Sequence, residues 1–453
     1  MRSLLIDAAE RAARYLEMLD DRPVFPRQEA IDALSRLDHA LPDAPTDPAA
    51  VLALMDEVAS PATTAMAGRR YFGFVIGGSL PASVAANMLS TAWDNATAMR
   101  ASSPAGIKLE EVALKWARDL LHLPPESMGA FVTGATMANF TALAAARHAV
   151  LEWAGWNLEF DGMFGAPPIT VIVGEEVHAS VLKVIGMLGL GRNRLIKIPT
   201  DEQGRMRADL LPDTIPSPAI VILQAGNVNT GASDPFDQII PRVRGEGVWV
   251  HIDGAFGLWA AASPKLEHLV KGVQLADSWA TDAHKWLNVP YDSGIVFTRH
   301  PAAHRAAVAS SAAYYMRNEG EPAFYEPVDY TPETSRRGRG IDSWAAMLSL
   351  GKRGVIEMFE QCCDQAQIFA KALSGAGYEI PHEVVLNQVM VRFGDDARTH
   401  RVIRALQQEG TMWAGSTVWK GRAAMRISVS SWATTDADVT RSIEAICRAA
   451  AEA

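Results

Sequence analysis

The spacing of apolar and polar residues changes character twice along the chain. From residue 1 to about 85, stretches such as "MRSLLIDAAERAARYLEML" mix charged and apolar residues at helical spacing. The connectors "DDRPVFPRQEA" and "ALPDAPTDPAA" break this region into short amphipathic helices. A helical arm of this kind seldom forms its own core and commonly packs on a second subunit. From about 86 to 345, short apolar or β-branched runs predict strands: "GAFV" (129–132), "ITVIV" (169–173), "LIKI" (195–198), "AIVILQ" (near 218–224), "VWVHID" (248–253), "DSWAT" (277–281) and "GIVF" (294–297). Helix-like stretches such as "MANFTALAAARHAVLEW" separate several of them. Continuous apolar strands alternating with helices indicate a mainly parallel sheet covered on both faces, an α/β domain.

From 346 to 453 the pattern changes again. Helical "AAMLSLGKRGVIEMFEQCCDQAQIFAKAL" precedes strand-like "VVLNQVMVRF" and "AAMRISVSS", which alternate with helices "HRVIRALQQEG" and "TDADVTRSIEAICRAAAE". This predicts a smaller α+β domain at the C-terminal end. No internal repeat is visible.

Composition narrows the function classes. Of 453 residues, 49% are hydrophobic and 21% charged, as in ordinary globular proteins. The net charge of −10 argues against binding nucleic acid or an anionic membrane through the overall field. No apolar run is long enough to cross a bilayer, and the first residues lack a signal-peptide core. The three cysteines, Cys362, Cys363 and Cys447, form neither a disulfide framework nor a C-x-x-C, which fits a reducing cytoplasm.

In open α/β sheets, ligands bind at the carboxyl ends of the strands, so the residues after each run carry the interest. After "GAFV" comes "TGATMANFTALAAAR". Its glycine and small hydroxyl residues open a helix whose free N–H groups suit a phosphate, with Thr136 adding a hydroxyl. An ordinary N-cap gives the same pattern. His178 follows the next run near a helix start, where a structural cap is the common role. Asn227, Asn229 and Thr230, in "AGNVNTGASDPFD", read equally as turn chemistry. Asp253 ends a buried strand, where a carboxylate needs a cationic or hydrogen-bonding partner. A protonated pyridine nitrogen is such a partner, and Gly254 and Ala255 leave room for a flat ring. Lys285, in "TDAHKWLNVPYDSG", follows the next strand. Taken alone it reads as a surface lysine. With its pKa lowered it would be a carbonyl nucleophile.

Together, a phosphate cradle, a ring-stacking His, a buried Asp and an amine at the ends of one sheet are the contacts that pyridoxal phosphate requires. The H-x-D and D-x-H pairs formed by His251, Asp253, Asp282 and His284 also suit a hydrolytic metal, but that leaves the lysine and the phosphate turn unexplained.

From "GRRYFGFVIGGSLPA" to "MRISVSSWATTDADV", the chain resembles the group II pyridoxal-phosphate-dependent decarboxylases, which include aromatic L-amino-acid, histidine and glutamate decarboxylases. The most specific piece is the His-Lys-Trp of "TDAHKWLNVPYDSG", whose Lys285 lies 32 residues after Asp253. The resemblance implies fold type I, the aspartate-aminotransferase type. Its expected parts are an N-terminal arm (1–85), a seven-stranded large domain (86–345) and a small C-terminal domain (346–453), in a homodimer with active sites at the interface. It implies that Lys285 holds the cofactor as a Schiff base, that Asp253 keeps the pyridine nitrogen protonated, and that His178 and Ala255 flank the ring. Ala135, Thr136 and His284 would bind the phosphate, and Asn227 would lie near the phenolic side. Phe74, Val75, Ile76 and Arg426 match positions that meet the substrate. The implied reaction is decarboxylation of an L-amino acid to an amine and carbon dioxide; an aminotransferase, aldehyde synthase or carbon–carbon lyase is the alternative on the same fold.

The chain departs from the better-known animal enzymes at three places. Gly254 replaces the usual Ala, and Asp282-Ala283 replaces Asn-Pro. The loop that usually supplies a proton-donating tyrosine, here "YYMRNEGEPAFYEPVDYTPETSRRGRG", offers Tyr325 and Tyr330. Arg336, Arg337 and Arg339 close that loop, as anchors or as solvated charges.

Overall fold

The computed structural model describes residues 1–309 and 325–453; the stretch from Tyr314 to Phe324 of the tyrosine loop lies outside them. The chain divides into two compact units. One comprises Met1–Gly78, Asp364–Pro381 and Asn387–Ala453, and the other Ser79–Cys363 with His382–Leu386.

The larger unit is built on the seven apolar runs. They form β1 (Met128–Val132), β2 (Thr170–Gly174), β3 (Ile196–Ile198), β4 (Ala219–Gln224), β5 (Val248–Asp253), β6 (Ser278–Asp282) and β7 (Gly294–Thr298). Their order across the sheet is β1-β7-β6-β5-β4-β2-β3. β7 runs antiparallel to β1 and β6, and the other neighbouring pairs are parallel. β6 and β7 are buried along their full length, because both faces of the sheet are covered there, whereas the edge strand β3 is largely exposed. The helix Ala135–Trp153 packs on β5, β6 and β7. Its alanines bring it close to the sheet, and twelve of its residues are buried. The loops after β1, β2, β4, β5 and β6 open at one end of this sheet.

The other unit joins the N-terminal helices Arg2–Glu17, Gln28–Ala33 and Pro48–Leu54 to an antiparallel sheet. That sheet has the order β8-β10-β9, from β8 (Gln388–Val391), β9 (Gly415–Trp419) and β10 (Arg422–Ser428). The helix Asp436–Glu452 starts with a reciprocal cap between Thr435 and Asp438, and Arg70 pairs with Asp438 at 3.1 Å. β9 was not foreseen, since "GSTVW" is short and half exposed. The helical stretch Arg339–Gly375 is broken at Gly351, whose φ of 63° no helix tolerates.

Candidate active site

Two adjacent strands deliver the central residues. β5 ends at Asp253, and Gly254 N donates to Ala280 O on β6. A Cβ on Gly254 would stand 2.6 Å from Leu258 Cβ, so the departure from alanine has a steric cause here. β6 ends at Asp282, and the tight turn after it carries His284, Lys285 and Trp286. Trp286 is fully buried against Phe256 and Phe359, which anchors the turn in the core. His284 Nδ1 accepts the Ser293 N–H at 3.0 Å, and its ring stacks on Tyr291. Burial, the largest influence on it, pushes the His284 pKa down. The neutral ring therefore carries its proton on Nε2, 3.5 Å from Asp282 Oδ1. Lys285 Nζ pairs with Asp282 Oδ2 at 2.8 Å, with the lysine side chain about one-fifth exposed.

Asp253 is buried, and its Oδ1 has no hydrogen-bond partner among the described residues. It lines one pocket with His178, Gln224 and Asp234. Burial raises its pKa; the charges of His178 and Lys285 and the Asn139 amide oppose that, while Asp282 reinforces it. His178 caps the helix Ala179–Met187, its Nδ1 accepting from Ser180 N, and the residue itself is exposed. The structural role and a position beside Asp253 thus coexist.

The helix after β1 begins at Ala135, as expected. A Cβ on Gly134 would come 3.0 Å from His284 Cε1 and 3.4 Å from Asp282 Oδ1, so only glycine leaves this cradle open. The Ala135 N–H is taken by Asp282 Oδ1 at 2.5 Å. Thr136 follows, half-buried. Asn227 is engaged in turn chemistry: its Oδ1 accepts from Asn229 N and Thr230 N. Ala255 lies just beyond Asp253, with its carbonyl accepting from Asp282 N.

Phe74, Val75, Ile76 and Arg426 belong to the other unit. Phe74 and Val75 have φ of 51° and 60°. For a β-branched valine this is a strained conformation of the sort found at ligand-contacting turns. Phe74 is exposed and leans on Trp413, while Val75 and Ile76 are buried. Arg426, on β10, has its pKa lowered by burial, and none of the described residues forms an ion pair with it.

Two tyrosines of the tyrosine loop, Tyr325 and Tyr330, lie among the described residues. Tyr325 and Tyr330 are buried and stack on one another, with Tyr330 also against His304. Tyr325 lines a cavity with Met128, Gly129 and Phe297, at the end of the sheet opposite the one carrying Asp253 and Lys285. Both tyrosines are packed core groups. Arg336 is not solvated: its side chain is fully buried, with a two-pronged contact to Glu110 at 2.7 and 3.0 Å. Arg339 pairs with Asp292 at 2.9 Å. Sequence reasoning missed two residues, Asp282 as the partner of Lys285 and Asn139 as a neighbour of Asp253. Asp282 was visible as a departure from Asn. Asn139 is an amide inside an alanine-rich helix, a poor helix former at a position that must have a reason.

The donor set fits pyridoxal phosphate. Asp253 Oδ1 is a buried acceptor in want of a donor, the Gly134 cradle faces the His284 imidazole, and Lys285 presents a primary amine. Neither nitrogen of His251 is free for a metal, since Ser278 and Asn139 occupy them. Among the described residues no group of three or more His, Cys, Asp or Glu could hold a metal ion.

Comparison with known proteins agrees. The pyridoxal-dependent decarboxylase conserved domain matches residues 32–393. An aromatic-L-amino-acid decarboxylase of Bacillus atrophaeus is 27% identical over 383 residues, covering 82% of this chain and 76% of the relative. The crystal structure of Oryza sativa TDC with PLP and tryptamine superposes with a TM-score of 0.91 at 21% identity, covering 100% of this chain and 97% of that one. Rhodiola rosea 4-hydroxyphenylacetaldehyde synthase superposes at 0.85 and 20% identity, covering 100% and 97%. These likenesses in structure extend the agreement to the fold. The chain belongs to the pyridoxal-dependent decarboxylases, pyridoxal-phosphate enzymes that remove the carboxylate of an amino acid.

Proposed function

We propose that Lys285 is the residue that holds the cofactor, that Asp253 faces its ring nitrogen, and that the substrate is an L-amino acid with an aromatic side chain. The observation that carries the site is Asp253 Oδ1, buried and unpartnered in a pocket with His178, within the field of Lys285. When bound, pyridoxal phosphate supplies an electron sink for the pair of electrons left behind by carbon dioxide. The chain's part is to bind, orient and manage protons. Asp253 would hold a proton at the ring nitrogen. Lys285 would hold the cofactor through its amine while no substrate is bound. His178 and Ala255 would pack against the ring. Thr136, the neighbouring N–H groups of the helix start and His284 Nε2–H would hold the phosphate, with Asn227 as a further contact to the cofactor.

The aromatic substrate is supported by Phe74, an exposed ring on a strained turn beside Trp413, and by the activity named for the Bacillus relative. A second reading, an acidic amino acid, is favoured by Arg426, a largely buried guanidinium without an anionic partner among the described residues. The helix Arg2–Glu17 buries none of its residues and exposes Leu5, Ile6 and Leu16, which supports a homodimer in which the arm lies on a second copy. Three free cysteines support a cytoplasmic setting. Among the described residues no helix is long and apolar enough to cross a membrane.

A panel of L-amino acids assayed for carbon dioxide and amine tests reaction and substrate together. Carbon dioxide and an arylalkylamine in equal amounts support the reading. An aldehyde or keto acid in place of the amine assigns another reaction on this fold, and turnover of aspartate or glutamate alone assigns the acidic substrate. Borohydride should fix the cofactor on the peptide containing Lys285, and Lys285→Ala should abolish that fixation.

A further inference from the structure

His251 lies two residues before Asp253 on β5, so strand alternation places both side chains on one face of the sheet. His251 is wholly buried. Its Nδ1 lies 2.8 Å from Ser278 Oγ and its Nε2 2.8 Å from Asn139 Oδ1. Trp249 Nε1 donates to the same Ser278 Oγ at 2.8 Å. Burial depresses the His251 pKa to about 3, so the ring is neutral. These contacts then fix every proton. An indole nitrogen only donates and an amide oxygen only accepts. His251 Nε2–H therefore donates to Asn139 Oδ1, Ser278 O–H donates to His251 Nδ1, and Trp249 N–H donates to Ser278 Oγ. With its oxygen held this way, Asn139 has only its NH2 group left to offer.

That NH2 group has no full hydrogen bond within the described residues, and neither has Asp253 Oδ1. Yet the Asn139 amide bears on the Asp253 carboxylate and favours its charged form. A purely structural amide buried in a helix would have both ends satisfied. Here one end is locked by a chain of three residues, while the other is a buried donor left over in the same core as the buried, unpaired Asp253 Oδ1.

We propose that Trp249, Ser278, His251 and Asn139 form a positioning relay that holds an amide N–H toward Asp253 and so keeps the shared proton on the cofactor's ring nitrogen. The proposal rests on the reading that Asp253 faces that nitrogen. The physical need is specific. In a water-excluded place, a neutral acid beside a neutral pyridine competes with the charged pair. Burial favours the neutral acid, and the Asp282 charge adds to it, while His178 and Lys285 oppose it. If the carboxyl took the proton, the ring would lose its pull on electrons. The charge at Lys285 changes in any cycle that uses its amine as a nucleophile. The Asn139 dipole does not change, so it supports the carboxylate throughout.

The test uses holoenzyme loaded with pyridoxal phosphate labelled with nitrogen-15 in the ring, whose chemical shift reports ring protonation. The parent should show a protonated ring nitrogen. In Asn139→Ala and His251→Leu the shift should move toward the unprotonated value, and kcat should fall about tenfold, the scale of one lost hydrogen bond, with KM little changed. His251→Gln, which keeps an N–H for Asn139 Oδ1, should restore most of the parent shift. Ser278→Ala, at the far end of the relay, should produce a smaller displacement and keeps the test open if Asn139→Ala fails to fold. A protonated shift in every folded variant overturns the relay and leaves the Asp253 assignment standing. An unprotonated nitrogen in the parent overturns the Asp253 assignment itself.

Discussion

Lys285 Nζ and Asp282 Oδ2 form an ion pair at 2.8 Å, and the other oxygen of the same carboxylate accepts the Ala135 N–H at 2.5 Å. One side chain thus restrains the nucleophile and occupies a donor at the helix start proposed to receive a phosphate. Asp282→Asn should therefore tighten binding of pyridoxal phosphate about tenfold, because like charges a few ångströms apart at a partly buried site cost more than about 1 kcal/mol. Binding of unphosphorylated pyridoxal should change little. Spectroscopic titration of cofactor-depleted protein with both compounds measures the contrast, and an equal shift for the two would sink the idea.

Arg426 offers a guanidinium without an anionic partner among the described residues. Arg426→Leu should lower kcat/KM about tenfold to a hundredfold, the worth of one charge-assisted hydrogen bond. The absorbance of the bound cofactor should stay as in the parent, and Arg426→Lys should recover part of the loss. Unaltered steady-state kinetics with the preferred substrate would remove Arg426 from the substrate contacts.

Arg336 and Glu110 form a fully buried pair, and Arg336 also donates to the carbonyls of Thr97 and Phe131. Removing one partner leaves an uncompensated buried charge. Arg336→Met should destabilise the protein by about 3–5 kcal/mol, and Arg336→Met with Glu110→Leu should be less damaging than the single change. Urea unfolding of the three proteins checks the order; a double variant weaker than the single would contradict it.

His304 predicts a pH effect. Its Nε2–H donates to Tyr330 O at 2.9 Å, and burial lowers its pKa from 6.5 to about 4. Since the folded value lies below the unfolded one, the unfolded chain takes up the proton first as pH falls. The stability tied to this ring is complete above pH 6.5 and is lost as pH falls toward 4. The loss amounts to roughly 3 kcal/mol. Asp234 and Asp342, both raised to about 6 by burial, act in the opposite sense below that pH. They cancel when His304→Gln is compared with the parent at each pH. The variant should lose less stability than the parent between pH 6.5 and 4, and parallel curves would refute the effect.

The strands of the larger unit could be read because their apolar runs are continuous and bounded by turn residues. "AIVILQ" and "VWVHID" became β4 and β5 without adjustment. The same pattern shows why the strand ends were informative: a charged residue such as Asp253 closing an apolar run has to be answered by something. What sequence spacing does not contain is who answers it. Asn139 lies 114 residues before Asp253, and only the packing of its helix on the sheet brings them together. The surroundings of Tyr325 and Tyr330 were hidden for a related reason. A tyrosine in a polar, glycine-rich stretch looks mobile, yet Tyr325 and Tyr330 bury each other. Arg336 could be read as an anchor or as a solvated charge because Glu110, its partner, is 226 residues away.

The register of β5 against β6 sets His251 opposite Ser278 and Asp253 opposite Ala280. A slip of one residue would turn every side chain of β6 to the other face, leaving Trp279 where the hydroxyl of Ser278 should be. The hydrogen-bonded chain behind Asp253 would then have no second link, and the sheet would still be a sheet. A small buried hydroxyl thus ties the correctness of strand pairing to the chemistry of the ring. During folding, the yellow of a properly loaded protein would report that two strands have met in the right frame.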